Sequence, residues 1–187
     1  MQIDIVLPRS FWIYTVRDGH GRIKARSKPI PNRIVMEGGI FMGDVYYGDA
    51  YSPYTATWFI GLLGPGAVTW AAGDTAAKIT TGTPSPPTTN HWQEITNYSG
   101  TRQPVIWADA MNDIALGPSI QGGVCIFPMT GPGIIQGGIL ISDATKGGTS
   151  GRLYAVDSVA TSIGSFAYGA GDTVEVQVIV IFGAVLG

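Results

Sequence analysis

The sequence predicts an all-β fold: a β-sandwich body preceded by an extended N-terminal arm. Three observations carry this. The 187 residues include 27 glycines and 12 prolines, enough to interrupt the chain at short intervals. Only 13% of side chains are charged, against about 25% in an ordinary soluble domain. Between the interruptions lie apolar runs a few residues long, of the size that β-strands use.

The same numbers exclude other classes. A 45% apolar content is too high for a disordered tail. The abundance of Gly and Pro does not suit a helical bundle or coiled coil. The most apolar stretch, Val174–Leu186, carries Glu175 and Gln177 and is shorter than the roughly 20 residues a helix needs to span a bilayer. So few charges leave a free monomer poorly soluble. Much of the surface is therefore expected to be covered by other subunits.

Ile3–Leu7 and Phe11–Val16 read as strands, and Asp18-Gly19-His20-Gly21 reads as the hairpin turn that follows them. Lys28-Pro29-Ile30-Pro31-Asn32 is extended, because each proline fixes its own φ and restricts its predecessor. Glu37–Gly43 holds three glycines and reads as a flexible connection; Tyr46, Tyr47, Tyr51 and Tyr54 follow it. The arm is drawn as residues 1–55 and the body as residues 56–187.

In the body, Thr57–Leu63 is an apolar run ended by Gly64-Pro65-Gly66, and Thr80–Asn90 is a Thr- and Pro-rich loop. A helical turn is expected near Gly73–Lys78, capped by Asp74 or Thr75. Further strands are expected at Gln103–Ala108, Asp113–Leu116, Gly123–Phe127, Ile134–Ser142, Arg152–Val156 and Thr173–Phe182. The last alternates: Val174, Val176, Val178 and Val180 point one way, and Glu175, Gln177, Ile179 and Ile181 the other.

Charge is unevenly placed. Residues 1–35 carry seven bases against two acids, whereas residues 36–187 carry four bases against eleven acids. A basic segment joined to an acidic body will lie on an acidic surface. That surface is its own body, the body of a neighbouring copy, or a nucleic acid; no nucleic-acid-binding motif accompanies the charges. The candidate partner-binding residues are Arg9, Arg17, Arg22, Lys24, Arg26, Lys28 and Arg33 for steering, with Trp12, Tyr14, Tyr46, Tyr47 and Tyr51 for buried contact area.

Catalytic constellations fail on count. His20 and His91 are the two histidines and lie in different regions. The single Cys125 forms no internal disulfide or cysteine zinc site, and reads as a buried small hydrophobe. Gly147-Gly148-Thr149-Ser150-Gly151 has the wrong spacing for a nucleophile elbow. Asp109 and Asp113 suit a turn better than a calcium or acid–base pair. No enzyme activity, metal or cofactor is expected. Met1–Leu7 lacks a basic n-region, so synthesis in a cytoplasm is expected.

Several short motifs then fall in order. Trp58-Phe59-Ile60-Gly61-Leu62-Leu63 is followed by Ala72-Gly73-Asp74-Thr75-Ala76, His91-Trp92-Gln93-Glu94, Tyr98, Arg102-Gln103-Pro104 and Trp107. Arg152-Leu153-Tyr154-Ala155 and Gly171-Asp172-Thr173-Val174 close the series. Over about residues 56–182 this order resembles a family of small virion structural proteins of tailed bacteriophages. Thr80–Asn90 looks like an insertion relative to that pattern, and His91 adjoins Trp92 directly. The resemblance implies a jelly-roll-like sandwich and a non-enzymatic decoration or cement protein on the outer surface of the phage head. It implies a homotrimer bound to the major capsid protein and to copies of itself, without nucleic acid or membrane. The alternative is a tail or fibre-associated structural protein that contacts the host surface.

Overall fold

A computed structural model describes residues 9–39, 57–66, 68–81, 91–107, 111–113, 117–158 and 166–181, without the side chains of Arg9, residues 111–113 and 117–121, Val180 and Ile181. The chain is an all-β sandwich. One sheet is built on two long neighbours, β1 (Arg9–Arg17) and β16 (Thr173–Ile181), antiparallel in an unbroken nine-residue register from Arg9↔Ile181 to Arg17↔Thr173. Beyond β1 lie β2 (Ile23–Arg26) and β3 (Ile30–Pro31). Beyond β16 lie β10 (Gly117–Gln121), β11 (Cys125–Pro128) and, outside β10, β9 (Met111–Asp113).

The second sheet runs β4 (Arg33–Ile34), β14 (Leu153–Ser158), β13 (Gly137–Ile141), β5 (Phe59–Leu63) and β8 (Gln103–Pro104). Two short pairs complete the described strands: β6 (Ile79–Thr80) parallel to β7 (Trp92–Gln93), and β12 (Gly133–Ile135) antiparallel to β15 (Phe166–Tyr168).

Side-chain parity explains the packing. Trp12, Tyr14 and Val16 of β1 stand opposite Val178, Val176 and Val174 of β16, and all six are fully buried. They meet Ile60, Leu62, Leu140 and Ala155 of the second sheet in one core. The second sheet is covered on its outer side too: Ile139, Ile141, Leu153 and Val156 pack against Val35, Val68, Ala76, Ile79 and Trp92. This is why β13 and β14 are buried along nearly their whole length rather than alternating.

Residues 9–35, expected as an arm, are part of the sandwich. β1 is interior to its sheet, and β3 and β4 carry the chain from one sheet to the other within five residues. The physical reason is the alternation Trp12-Tyr14-Val16, which gives this segment a core face as apolar as any in the body. Ile3–Leu7 lies outside the described residues.

Other expectations meet detail. The strand expected over Ile134–Ser142 divides at Gln136, whose N–H donates to the Leu63 carbonyl and whose Oε1 accepts from Gly66 N–H. The helical turn is a 3₁₀ turn, Ala76–Lys78, with Thr75 as the cap. Asp74 instead closes the preceding turn through Ala71 N–H and pairs with Lys78. One helical turn at residues 36–39 begins the stretch expected as a flexible connection.

Candidate interaction surface

The basic N-terminal segment and the residues that frame the body make up the candidate site. Three of the segment's seven basic residues form ion pairs within the chain. Arg17 pairs with Glu175 on β16 at 2.7 Å, and Lys24 with Asp172 at 2.5 Å. Arg22 pairs with Asp18 inside the β1–β2 hairpin at 2.8 Å. Of the three acidic surfaces the charge split allows, the chain's own body thus takes Arg17 and Lys24.

The hairpin explains its own turn. Asp18 Oδ1 accepts from the N–H groups of His20 and Arg22, and Gly21 takes φ +81°. Those bonds, led by the Arg22 N–H, hold the Asp18 carboxyl below its ordinary value. Lys24, followed by the Gly169 N–H, does the same for Asp172.

Arg26 and Lys28 remain exposed at the β2 edge, beside the half-exposed Ile23. Arg33 lies with its guanidinium 5.1 Å from the Trp70 ring, and Arg9 opens β1 without a described side chain. Trp12 and Tyr14, expected to bury area against a partner, are fully buried in the core. Their place on the inward parity of β1 is the reason. Tyr46, Tyr47 and Tyr51 lie outside the described residues.

Sequence reasoning missed Trp70. Trp70 is 42% exposed, and Met36 nearby is 58% exposed. The loop that displays Trp70 is braced from beneath. Thr69 O accepts from Trp92 Nε1 at 2.6 Å and from Lys78 Nζ at 3.0 Å, and Ala72 O accepts from Met36 N–H at 2.8 Å. A large aromatic ring held on a rigid loop, with Arg and Met beside it, has the composition of an interface anchor. A second apolar strip runs along the other side of the sandwich through Ile106, Val124 and Ile126, all at least half exposed.

The frame has a buried ion pair at its centre. Arg102 donates through Nε and Nη2 to the two carboxylate oxygens of Glu94, each at 2.8 Å, with both side chains fully buried. The guanidinium also donates to the carbonyls of Asp143 and Gly148 at 2.9 and 3.0 Å, and Gly147 N–H donates to Glu94. Gly61 makes room, since a Cβ there would come 2.7 Å from Glu94 Oε1. The pair ties the Glu94–Arg102 segment to the 143–148 loop, with Gly61 of β5 close beside Glu94. Both residues stood in the ordered motifs, but nothing in the sequence joined them.

Chemistry-bearing residues are dispersed. Among the described residues no three His, Cys, Asp or Glu side chains gather as a metal site. His20 sits in the hairpin and His91 before β7, both exposed. Asp109 and the side chain of Asp113 lie outside what is described. Cys125 is buried and donates to Pro104 O at 3.3 Å, and burial pushes its thiol up to about 11. No described helix is long and apolar enough to cross a membrane. Compared with family models, curated proteins and solved structures, the chain matches none.

Proposed function

We propose that this chain is a structural virion protein that decorates and cements the head of a tailed bacteriophage. The observation that carries the reading is where its ordered motifs go. Trp58, Trp92, Glu94, Tyr98 and Arg102 are all buried, and burial of these five motif residues supports reading them as a structural frame. The reading takes the protein as a non-enzyme that works by mass action: it binds assembled shell better than free subunits and so stabilises the shell.

Two surfaces supply the contacts in this reading. The β2 edge offers Arg26 and Lys28 with Ile23, for steering onto an acidic partner. The Trp70 loop offers a preorganised anchor with Arg33 and Met36 beside it. The partners are the major capsid protein and further copies of this chain, arranged as a trimer on the outer surface of the head.

Binding to purified expanded heads, with and without Trp70→Ala and with Arg26→Glu/Lys28→Glu, tests the proposal. Co-sedimentation of the unaltered protein and at least tenfold weaker binding of either variant is the expected result. No binding of the unaltered protein to heads, together with its recovery in purified tails, would transfer the chain to the tail or fibre reading. The exposed Trp70 ring favours that second reading to the extent that it stacks on sugars, which a glycan array measures directly.

A further inference from the structure

Asp157 is the one described carboxylate that the fold leaves without a counter-charge or a well-formed hydrogen bond. It stands on β14 opposite Gly138 of β13, is 1% exposed, and neither carboxyl oxygen has a partner. Facing it from β1 is the Tyr14 hydroxyl, fully buried and likewise unpartnered. Gly138 lies between the sheets at this point: a Cβ there would come 2.6 Å from the Tyr14 hydroxyl and 2.5 Å from the Trp12 ring. At Gly138 the pair thus meets no side chain, and the Trp12 ring lies next to it. Phe166 of β15 stacks on Tyr14 from the other side. Arg33 of β4 stands opposite Val156, on the outer face of the sheet, with its guanidinium over Trp70. Tyr14 is thus the titratable group that meets Asp157 among the described residues.

We propose that Asp157 and Tyr14 form a proton-held joint between the two sheets, closed while the carboxyl carries its proton and loosened when it ionises. The phenol can donate to either form of the acid, but only the protonated acid meets it without placing a charge between the sheets. The ionised acid becomes a buried charge with no cation beside it, which is expensive in a low-dielectric interior. Burial raises the Asp157 carboxyl from 3.8 to about 7; the Tyr14 hydroxyl and the Ser158 N–H pull the other way and are outweighed. The sign follows from linkage. The unfolded chain ionises near 3.8, so the stabilisation is complete below that pH and is lost as pH rises through about 7. This device stands whether or not the chain belongs to a virion.

Urea unfolding of the full chain at pH 5 and pH 8, with Asp157→Asn alongside, tests it. The folding equilibrium constant of the unaltered chain is expected to fall between these pH values by a factor on the order of a hundred more than that of the variant. Carbon-13 NMR titration of the Asp157 carboxyl gives the same answer without a variant, should Asp157→Asn not fold. In that titration Tyr14→Phe moves the midpoint up, because the phenol favours the carboxylate. Parallel pH profiles for the two chains, or a carboxyl that titrates near 3.8, would overturn the proposal.

Discussion

Replacing Arg102 by Met tests the frame of the sandwich most directly. The guanidinium donates four hydrogen bonds, two to Glu94 and one each to the carbonyls of Asp143 and Gly148. Its loss strands a fully buried carboxylate, and removing one partner of such a pair costs about 3–5 kcal/mol. A domain of ordinary stability has only about 5–15 kcal/mol in all. Arg102→Met therefore removes about a fifth of the total or more. Glu94→Leu strands the guanidinium instead and costs a similar amount. The double variant strands no charge, yet it still leaves Asp143 O, Gly148 O and Gly147 N–H without their partners. It should be less stable than the unaltered chain but more stable than the summed single effects, with a coupling of about 2–3 kcal/mol. Urea unfolding followed by tryptophan fluorescence reads all four corners of this cycle. Because the pair is dry, added salt should leave the coupling unchanged. An Arg102→Met cost below about 1 kcal/mol, or simple additivity, would refute the reasoning.

Deleting residues 1–35 should abolish folding, because it removes β1 from the interior of its sheet; a truncated chain with native near-ultraviolet circular dichroism would contradict this. Gly138→Ala should destabilise by about 1–3 kcal/mol, since its methyl meets the Trp12 ring and the Tyr14 hydroxyl, and thermal unfolding measures the loss. Cys125 should resist thiol reagents at pH 8 in the native state and react once the chain is unfolded in urea, because burial holds the thiol at about 11. Lys24→Ala should change stability by less than about 1 kcal/mol, as its ammonium is partly exposed and already screened; a larger loss in urea titration would mean the hairpin depends on this contact.

How much of this was legible in the sequence varies with the range of the interaction. The last strand was legible because Val174, Val176 and Val178 repeat with period two, a signal that each residue carries with its neighbours. The β1–β2 turn was legible because Asp18 bonds its own backbone two and four residues on. The division of residues 133–141 into β12 and β13 was not, because the partners that separate them are Leu63 and Gly66. Trp70 carried no local signal in the sequence, since its exposure depends on what lies beneath its loop.

Composition and periodicity by themselves determined that the chain is β-rich, that its strands are short, and that its bases and acids lie in different segments. The tertiary structure alone decided what those segments are to each other. It made Arg9–Arg17 an interior strand beside Thr173–Ile181, turned Trp12 and Tyr14 into core, and set Arg17 against Glu175 and Lys24 against Asp172. It also brought Glu94 to Arg102 and Tyr14 to Asp157. The reason is physical: local patterns follow from bonds between near neighbours, whereas the Glu94–Arg102 pair is completed by carbonyls 41 and 46 residues from Arg102, and β1 is made central by a strand more than a hundred residues away; only packing brings these groups within reach.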